Sequence, residues 1–173
     1  MSYKNFLDYE KPIPFKEFER IDFKNFRGLE LIKKKLYGSE YFAYVDTSIE
    51  YEIEDGYIKV ESYFHPSSSF VYSKNSNSKD LLIHELYHFR ITEVFARKAK
   101  EEISKNTHLN KNKIKNIIDI IKTEEREYQK KYDYDTFHSY VYEKQIRYQK
   151  EIDSLLINLK NFENSKIKYN EKK

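Results

Sequence analysis

Residues 81–90 read Leu-Leu-Ile-His-Glu-Leu-Tyr-His-Phe-Arg and contain the motif His-Glu-x-x-His, from His84 to His88. On an α-helix, residues four apart lie about 40° apart around the axis and about 6 Å apart along it, so both histidines can reach one metal ion. Glu85 is turned by about 100° from His84, beside such an ion and not on it. A carboxylate there can touch a metal-bound water, which is the geometry that activates water on zinc.

The surroundings of the motif favour a helix. Asp80 precedes the apolar run and is the predicted N-cap. Apolar residues follow at helical spacing, namely Leu81, Leu82, Leu86, Phe89 and Phe95. We therefore expect a long amphipathic helix over residues 79–105. The competing interpretation is that the two histidines belong to an ordinary surface or core helix.

Composition restricts the class of protein. A chain of 173 residues is long enough for one domain with a real core. Its 32 basic and 29 acidic residues are intermixed and give a net charge of +3, which makes no case for nucleic-acid binding. With no cysteine, any zinc must be held by His, Asp or Glu. No apolar run approaches the ~18 residues of a membrane span.

Residues 41–64 carry the clearest strand pattern. Ile49, Tyr51 and Ile53 alternate with acidic residues, and Asp55-Gly56 is a hairpin turn pair. Alternation resumes in the return strand, at Ile58, Val60, Ser62 and Phe64. Together with a short strand within residues 41–45 and another after Ser69, this predicts an antiparallel sheet with one solvated face. His65 ends the hairpin, and we interpret it as solvated.

Helical patterning takes over near residue 78. Beyond the motif helix, we predict helices over residues 114–131 and 140–162, the last with a packing stripe that includes Ile152 and Leu156. Between them, Tyr132–Ser139 is predicted to be a turn-rich, non-helical insert. The expected class is therefore α+β, with residues 1–20 as an extended lead-in, 21–163 as the domain and 164–173 as a disordered tail.

Several blocks of the sequence resemble a bacterial family of domains of unknown function, the nine-two-two domain, whose members are interpreted as secreted zinc-dependent proteases. The matching blocks, in chain order, are Asp22-Phe23 through Gly28, Tyr63-Phe64 with Ser69-Phe70-Val71, residues 82–93 with Ala96-Arg97, and Tyr132-Asp133 with Thr136 and His138. The resemblance implies a zincin-like fold and zinc metallopeptidase chemistry.

The chain departs from that family at four positions. Leu86 stands in place of the usual Gln, and Arg90 and Ser139 stand where Asp and Gly are frequent. Phe70 occupies the place of a Trp. None of these changes affects the three histidines or Glu85, so the implied metal site is retained. The changes bear on the surroundings of the site and on substrate preference.

A catalytic zinc usually has three protein ligands and one water. His84 and His88 supply two, and we predict His138 as the third because it lies in the expected non-helical insert and matches the family block. Glu93 is excluded because it lies about 140° around the helix from His88. The alternative third ligand is a glutamate of the next helix: Glu124, Glu125 or Glu127.

The expected reaction is hydrolysis of a peptide bond. Glu85 would take the proton of the zinc-bound water and pass it to the leaving amine. A tyrosine near His138 would stabilise the oxyanion, with Tyr132 and Tyr134 as the candidates, together with Tyr140. An extended peptide could pair with the strand around Ser69–Tyr72.

Two further functions stay open at this level. The chain could be a zinc-stabilised binding module without peptidase activity, or a coiled-coil interaction protein through residues 140–162. The intact Glu85 favours the enzyme, because a structural zinc needs no base. Residues 1–15 lack the apolar core of a signal peptide, so the expectation is a cytoplasmic protein or, as the resemblance implies, an exported one whose leader has been removed. The sequence does not indicate an oligomeric state.

Overall fold

The structure, a computed structural model, describes residues 10–28, 43–54, 56–71, 78–106 and 109–169. Within these ranges, antiparallel strands come mainly from the first half of the chain and long helices from the second. The strands are β1 (Ile13–Pro14), β2 (Ala43–Tyr44), β3 (Thr47–Glu54), β4 (Tyr57–Phe64), β5 (Phe70–Val71) and β6 (Lys166–Lys168), and the helices are α1 (Lys79–Lys105), α2 (Lys111–Thr136) and α3 (Tyr142–Asn158). The predicted α+β class is confirmed.

The hairpin of β3 and β4 forms as predicted. Its register pairs Thr47 with Phe64 and Glu54 with Tyr57. Even-numbered residues of β4 from Ile58 to Phe64 are buried against α1, while the glutamates of β3 face solvent. Gly56 has a φ of 73°, the left-handed conformation that a tight turn requires. Asp55, the other half of the predicted turn pair, lies outside the described residues.

Both ends of the described chain add strands to β4, on the edge opposite β3. β1 pairs with the end of β4, and β6 pairs with its beginning. Ile13 and Tyr169 are buried, and a 3₁₀ helix (Phe15–Arg20) follows β1. The predictions of an extended lead-in before residue 21 and of a disordered tail from residue 164 are therefore wrong for these segments, because each buries an apolar side chain and completes the sheet. Residues 170–173 lie outside the described part.

A two-stranded sheet, β2 with β5, lies beside the hairpin. Residues 21–28 form a loop that is anchored to the segment before β5. Asp22 caps a 3₁₀ helix (Phe23–Asn25), and the Gly28 amide donates to the Ser69 carbonyl at 2.7 Å. A Cβ at Gly28 would lie 2.8 Å from that oxygen, so only glycine allows this approach. Residues 29–42, which include the start of the strand predicted within residues 41–45, lie outside the described ranges. Tyr72, the end of the strand predicted to pair with a peptide, also lies outside them.

Helix α1 has the predicted bounds and lies between the sheet and the other two helices. Its N-cap is Ser78, whose hydroxyl accepts a hydrogen bond from the Leu81 amide at 3.0 Å. The prediction of Asp80 as the cap is wrong, because Asp80 is already helical and lies in the first turn, where a carboxylate favours the helix dipole. Apolar residues of α1, including Phe89, Val94 and Ile103, are buried on both sides of the helix.

Helices α2 and α3 pack against α1. Asn110 caps α2, which runs to Thr136, so the predicted non-helical insert at Tyr132–Ser139 is wrong for its first five residues. The helix continues because Tyr132 and Thr136 are buried on the face that meets α1. The apolar stripe of α3 is buried inside the domain, with Ile152 at 0% exposure. This packing gives the stripe a core role and removes the basis for a coiled coil.

Candidate metal centre

The two motif histidines face one point, as the spacing of His-Glu-x-x-His predicts. His84 is fully buried and His88 is 9% exposed. Their Nε2 atoms lie 3.3 Å apart, with the rings almost perpendicular. The regular geometry of α1 alone brings these two nitrogens together.

Helix α2 brings a carboxylate to the same point. Oδ1 of Asp133 lies 2.8 Å from Nε2 of His88 and 3.2 Å from Nε2 of His84. These three residues each offer a ligand atom within 4.8 Å of the others, an arrangement that could hold a metal ion. Asp133 is not among the ligands predicted from the sequence, because the predicted non-helical insert includes this residue.

A signal for Asp133 was present in the sequence. The apolar stripe of α2 begins at Ile114, Ile118 and Ile121, and the same buried face continues at Tyr132 and Thr136. Asp133 lies about 100° around the helix from Tyr132, at the edge of this face. Extending the predicted helix past residue 131 would therefore have placed the Asp133 carboxylate beside the buried face.

His138, the predicted third ligand, lies at the edge of this group. Its Nδ1 is 3.5 Å from Oδ1 of Asp133, and its ring centroid is 5.9 Å from that of His84. A left-handed turn carries it there, with φ values of 48° at Phe137, 51° at His138 and 77° at Ser139. The structure thus brings His138 to the site, but Asp133 is closer to the two nitrogens.

Charge in the site is concentrated on Asp133 and His88. Burial alone would raise the pKa of Asp133, but the charge of His88 and hydrogen bonds from both histidines outweigh burial and hold that pKa well below its usual range. Burial alone would lower the pKa of His88. The charge of Asp133 and the hydrogen bond to it raise the pKa of His88 to about 9. Without a metal, this pair therefore resembles an ion pair.

Glu85 lies beside the donor atoms and outside their group, as its helix position predicts. It is 3% exposed, and burial raises the pKa of its carboxyl. The nearby histidines and a hydrogen bond from the Val45 backbone partly oppose that shift. A buried carboxyl with a raised pKa is a better proton acceptor than an ordinary glutamate.

An open cleft of about 430 Å³ leads to the site. One wall is residues 43–47, which include β2, together with Phe70 of β5. The opposite wall is α2, with Arg126, Lys130 and Asp133, and the floor includes Glu85 and His88. His138 lines the same space. The candidate base and ligands are therefore accessible to a molecule in the cleft.

The predicted oxyanion tyrosines do not reach this cleft. Tyr132 is fully buried, its ring stacks on His84, and its hydroxyl contacts the His84 carbonyl oxygen and the Gln145 side chain. Tyr134 and Tyr140 are 84% and 66% exposed, and neither lines the cleft. The catalytic roles assigned to Tyr132 and Tyr134 are not supported, because helix α2 turns the first into the core and the second into solvent.

Of the alternative ligands, Glu124 and Glu127 are exposed on α2 and neither lines the cleft. Glu125 lines the cleft, but its Oε1 accepts hydrogen bonds from Thr92 and Gln129. Glu93 pairs with Arg97 on the far side of α1, which confirms its exclusion. His65 is buried with its Nε2 2.7 Å from Ser48 Oγ, so the interpretation of this residue as solvated is wrong.

Two glutamines contact the Nδ1 atoms of the motif histidines, the ring nitrogens that do not face Asp133. Oε1 of Gln145 lies 3.0 Å from Nδ1 of His84, and Oε1 of Gln129 lies 2.5 Å from Nδ1 of His88. Sequence reasoning found neither, because a glutamine on an amphipathic helix is normally assigned to the solvated face.

Comparison with models of known families, with curated proteins and with solved structures finds no match to this chain. The resemblance to the nine-two-two domain and the zincin-like fold that it implies therefore stay predictions. In the part of the chain that the structure describes, no helix has the length and apolar character needed to span a bilayer.

Proposed function

We propose that this protein is a zinc-dependent peptidase in which His84, His88 and Asp133 hold the metal and Glu85 is the general base. The observation that carries the proposal is the convergence of two imidazole nitrogens and a carboxylate oxygen at one end of an open cleft. Two imidazoles and a carboxylate form a ligand set of the kind found in catalytic zinc sites.

The spacing of the donor atoms supports a metal of this size. With bonds of about 2.0–2.1 Å, ligand atoms at the corners of a tetrahedron lie about 3.3 Å apart. The three distances here are 3.3, 3.2 and 2.8 Å. When bound, zinc would supply a water of lowered pKa and polarise a substrate carbonyl. The prediction that His138 is the third ligand remains the alternative assignment.

Side chains of this protein would supply the general base and the surface that binds the substrate. Glu85 would accept a proton from a water in the cleft and deliver it to the leaving amine. A peptide substrate is favoured because the cleft wall at residues 43–47 is largely an extended chain with the apolar side chains of Ala43 and Val45. An extended peptide can lie along such a wall.

A second candidate function is a metal-stabilised binding module. It is favoured by His138, which offers a fourth donor next to Asp133. Structural zinc sites have four protein ligands and no open position. In that case Glu85 would have no catalytic role.

The test compares the parent protein with Glu85→Gln for zinc content, thermal melting and cleavage of a broad peptide library. The amide has nearly the same volume but cannot accept a proton, so we expect zinc and melting to be retained and cleavage to fall by about 10²–10⁴-fold. Glu102→Gln, on the exposed part of the same helix, is the matched control. A Glu85→Gln protein that cleaves at the parental rate contradicts the mechanism. A parent that binds zinc and cleaves nothing favours the binding module.

A further inference from the structure

The side chain of Gln129 has one possible orientation. Its Nε2 lies 2.9 Å from the His88 carbonyl oxygen and 2.8 Å from Oε1 of Glu125. A carbonyl and a carboxylate only accept hydrogen bonds, so the amide nitrogen must face them. Oε1 of Gln129 therefore faces Nδ1 of His88. Because an amide oxygen cannot donate, Nδ1 of His88 carries the proton.

The contacts of Gln145 match this arrangement. The Tyr132 hydroxyl donates to the His84 carbonyl oxygen, at 3.3 Å. The same hydroxyl accepts a hydrogen bond from Nε2 of Gln145, at 2.6 Å. Oε1 of Gln145 is left facing Nδ1 of His84, which must carry a proton to donate. Tyr132 and His84 are fully buried and Gln145 is 3% exposed, which leaves little room for a competing water.

We propose that Gln129 and Gln145 are positioning residues that each accept a hydrogen bond from Nδ1–H of one motif histidine and so aim both Nε2 atoms at one point. The proposed zinc site supplies the reason for this arrangement, so the metal-related part of the inference rests on the proposed function. The Nδ1–H donors themselves follow from hydrogen bonds within the chain and can be detected without a metal.

The amide character of these partners has its own consequence. Histidines that bind metals usually donate their other N–H to a carboxylate, a backbone carbonyl or a water, and a carboxylate makes the ligand more basic. Here both partners are neutral amides, so neither ring gains basicity from an anion. The two glutamines therefore orient the ligands while leaving the zinc affinity below what carboxylate partners would give.

Positions 145 and 129 differ in whether they tolerate replacement of glutamine by glutamate. At position 145, a glutamate could accept hydrogen bonds from both His84 Nδ1 and the Tyr132 hydroxyl, if that hydroxyl donates its proton to the glutamate. At Gln129, a glutamate would face the carboxylate of Glu125 at the 2.8 Å of the present hydrogen bond. Gln145→Glu is thus the conservative variant, and Gln129→Glu is not.

The first experiment detects the Nδ1–H groups directly. ¹H–¹⁵N spectra of the ring N–H groups are recorded on the metal-free full chain with labelled histidine. We expect an Nδ1–H signal from both His84 and His88, protected from exchange with water by the hydrogen bond to a glutamine. Gln145→Leu should shift or remove the signal of His84 and Gln129→Leu that of His88, while Gln149→Leu, on the same helix as Gln145, should change neither. A parent without these signals, or leucine variants with unchanged signals, would overturn the assignment.

The second experiment measures Zn²⁺ affinity by competition with a chelator. Each leucine variant should bind about 10–100-fold more weakly than the parent. A leucine variant could simply fail to fold, so Gln145→Glu is included because it keeps the hydrogen-bond acceptor. It should keep the Nδ1–H signal of His84 and bind Zn²⁺ more tightly than the parent. Folded leucine variants of parental affinity, or a weaker Gln145→Glu, would overturn the positioning role. A parent with the expected Nδ1–H signals and no Zn²⁺ binding would refute the proposed function and leave the hydrogen-bond assignment standing.

Discussion

Nε2 of His88 lies 2.8 Å from Oδ1 of Asp133, so the motif helix and the following helix meet through their polar side chains. This contact replaces the apolar packing that continues on both sides of it. Burying an imidazole and a carboxylate stabilises a fold little, because the cost of desolvation offsets their attraction. This contact therefore adds little to the packing of the two helices, and it is the shortest of the three donor-atom distances in the proposed metal site.

Asp133→Asn should weaken zinc binding more than His138→Ala. An amide oxygen is a poorer zinc ligand than a carboxylate, whereas His138 lies outside the closest group of donor atoms. Elemental analysis and chelator competition measure the difference, with Asp119→Asn on the exposed face of α2 as the control. If His138→Ala loses the metal and Asp133→Asn keeps it, the ligand assignment from the sequence is the correct one.

Zinc should stabilise the folded protein. A ligand that binds only the native state contributes about 2.7 kcal/mol at one hundred times its Kd, and for a chain of this length that corresponds to a rise in Tm of about 5–10 °C. Thermal melting with Zn²⁺ and then with excess chelator checks the shift and its reversal. Asp133→Asn should show a much smaller rise. A parent Tm that does not respond to Zn²⁺ would count against a metal site.

Ser139→Gly should stabilise the protein by about 1 kcal/mol. Ser139 has a φ of 77°, and a residue with a side chain is strained in this region by about 1–2 kcal/mol, part of which the extra freedom of glycine in the unfolded chain offsets. Urea unfolding measures the change. Ser139→Ala keeps the strained side chain and should be close to the parent. Equal stability of the glycine and alanine variants would show that the turn is not strained.

Tyr169→Ala should cost about 2–4 kcal/mol, because the side chain is buried in the main apolar cluster. Its neighbour Lys168 is exposed, and Lys168→Ala should stay within about 0.5 kcal/mol of the parent. Denaturant unfolding of both variants tests whether the last strand is part of the cooperative unit. A Tyr169→Ala protein of parental stability would return this segment to the tail that the sequence suggested.

Local patterns predicted the parts of the fold that depend on neighbouring residues. Period-two alternation located the hairpin, and helical spacing located α1 and its two histidines. The bounds of α2 were missed because Tyr132-Asp133-Tyr134-Asp135 has the composition of a turn. What makes this segment helical is the burial of Tyr132 against α1, a tertiary contact that outweighs the turn-like composition.

The glutamine partners of the two histidines could not be predicted from the sequence for a related reason. Gln129 and Gln145 are polar residues on amphipathic helices, and only the packing of three helices turns them inward. The strained backbone at Ser139, in contrast, could have been predicted from the sequence. Ser139 stands where the resembling family often has glycine, and its positive φ explains why glycine suits that place.

The donor atoms come from helices far apart in the chain, since His84 and Asp133 are separated by 49 residues. Gln145, which holds His84, belongs to a third helix. A cation therefore cannot nucleate folding of this chain as it does in a zinc finger, whose ligands are close in sequence. In the proposed metal site, uptake of the ion would follow the docking of all three helices, and any loosening of their packing would release it before the helices themselves melt.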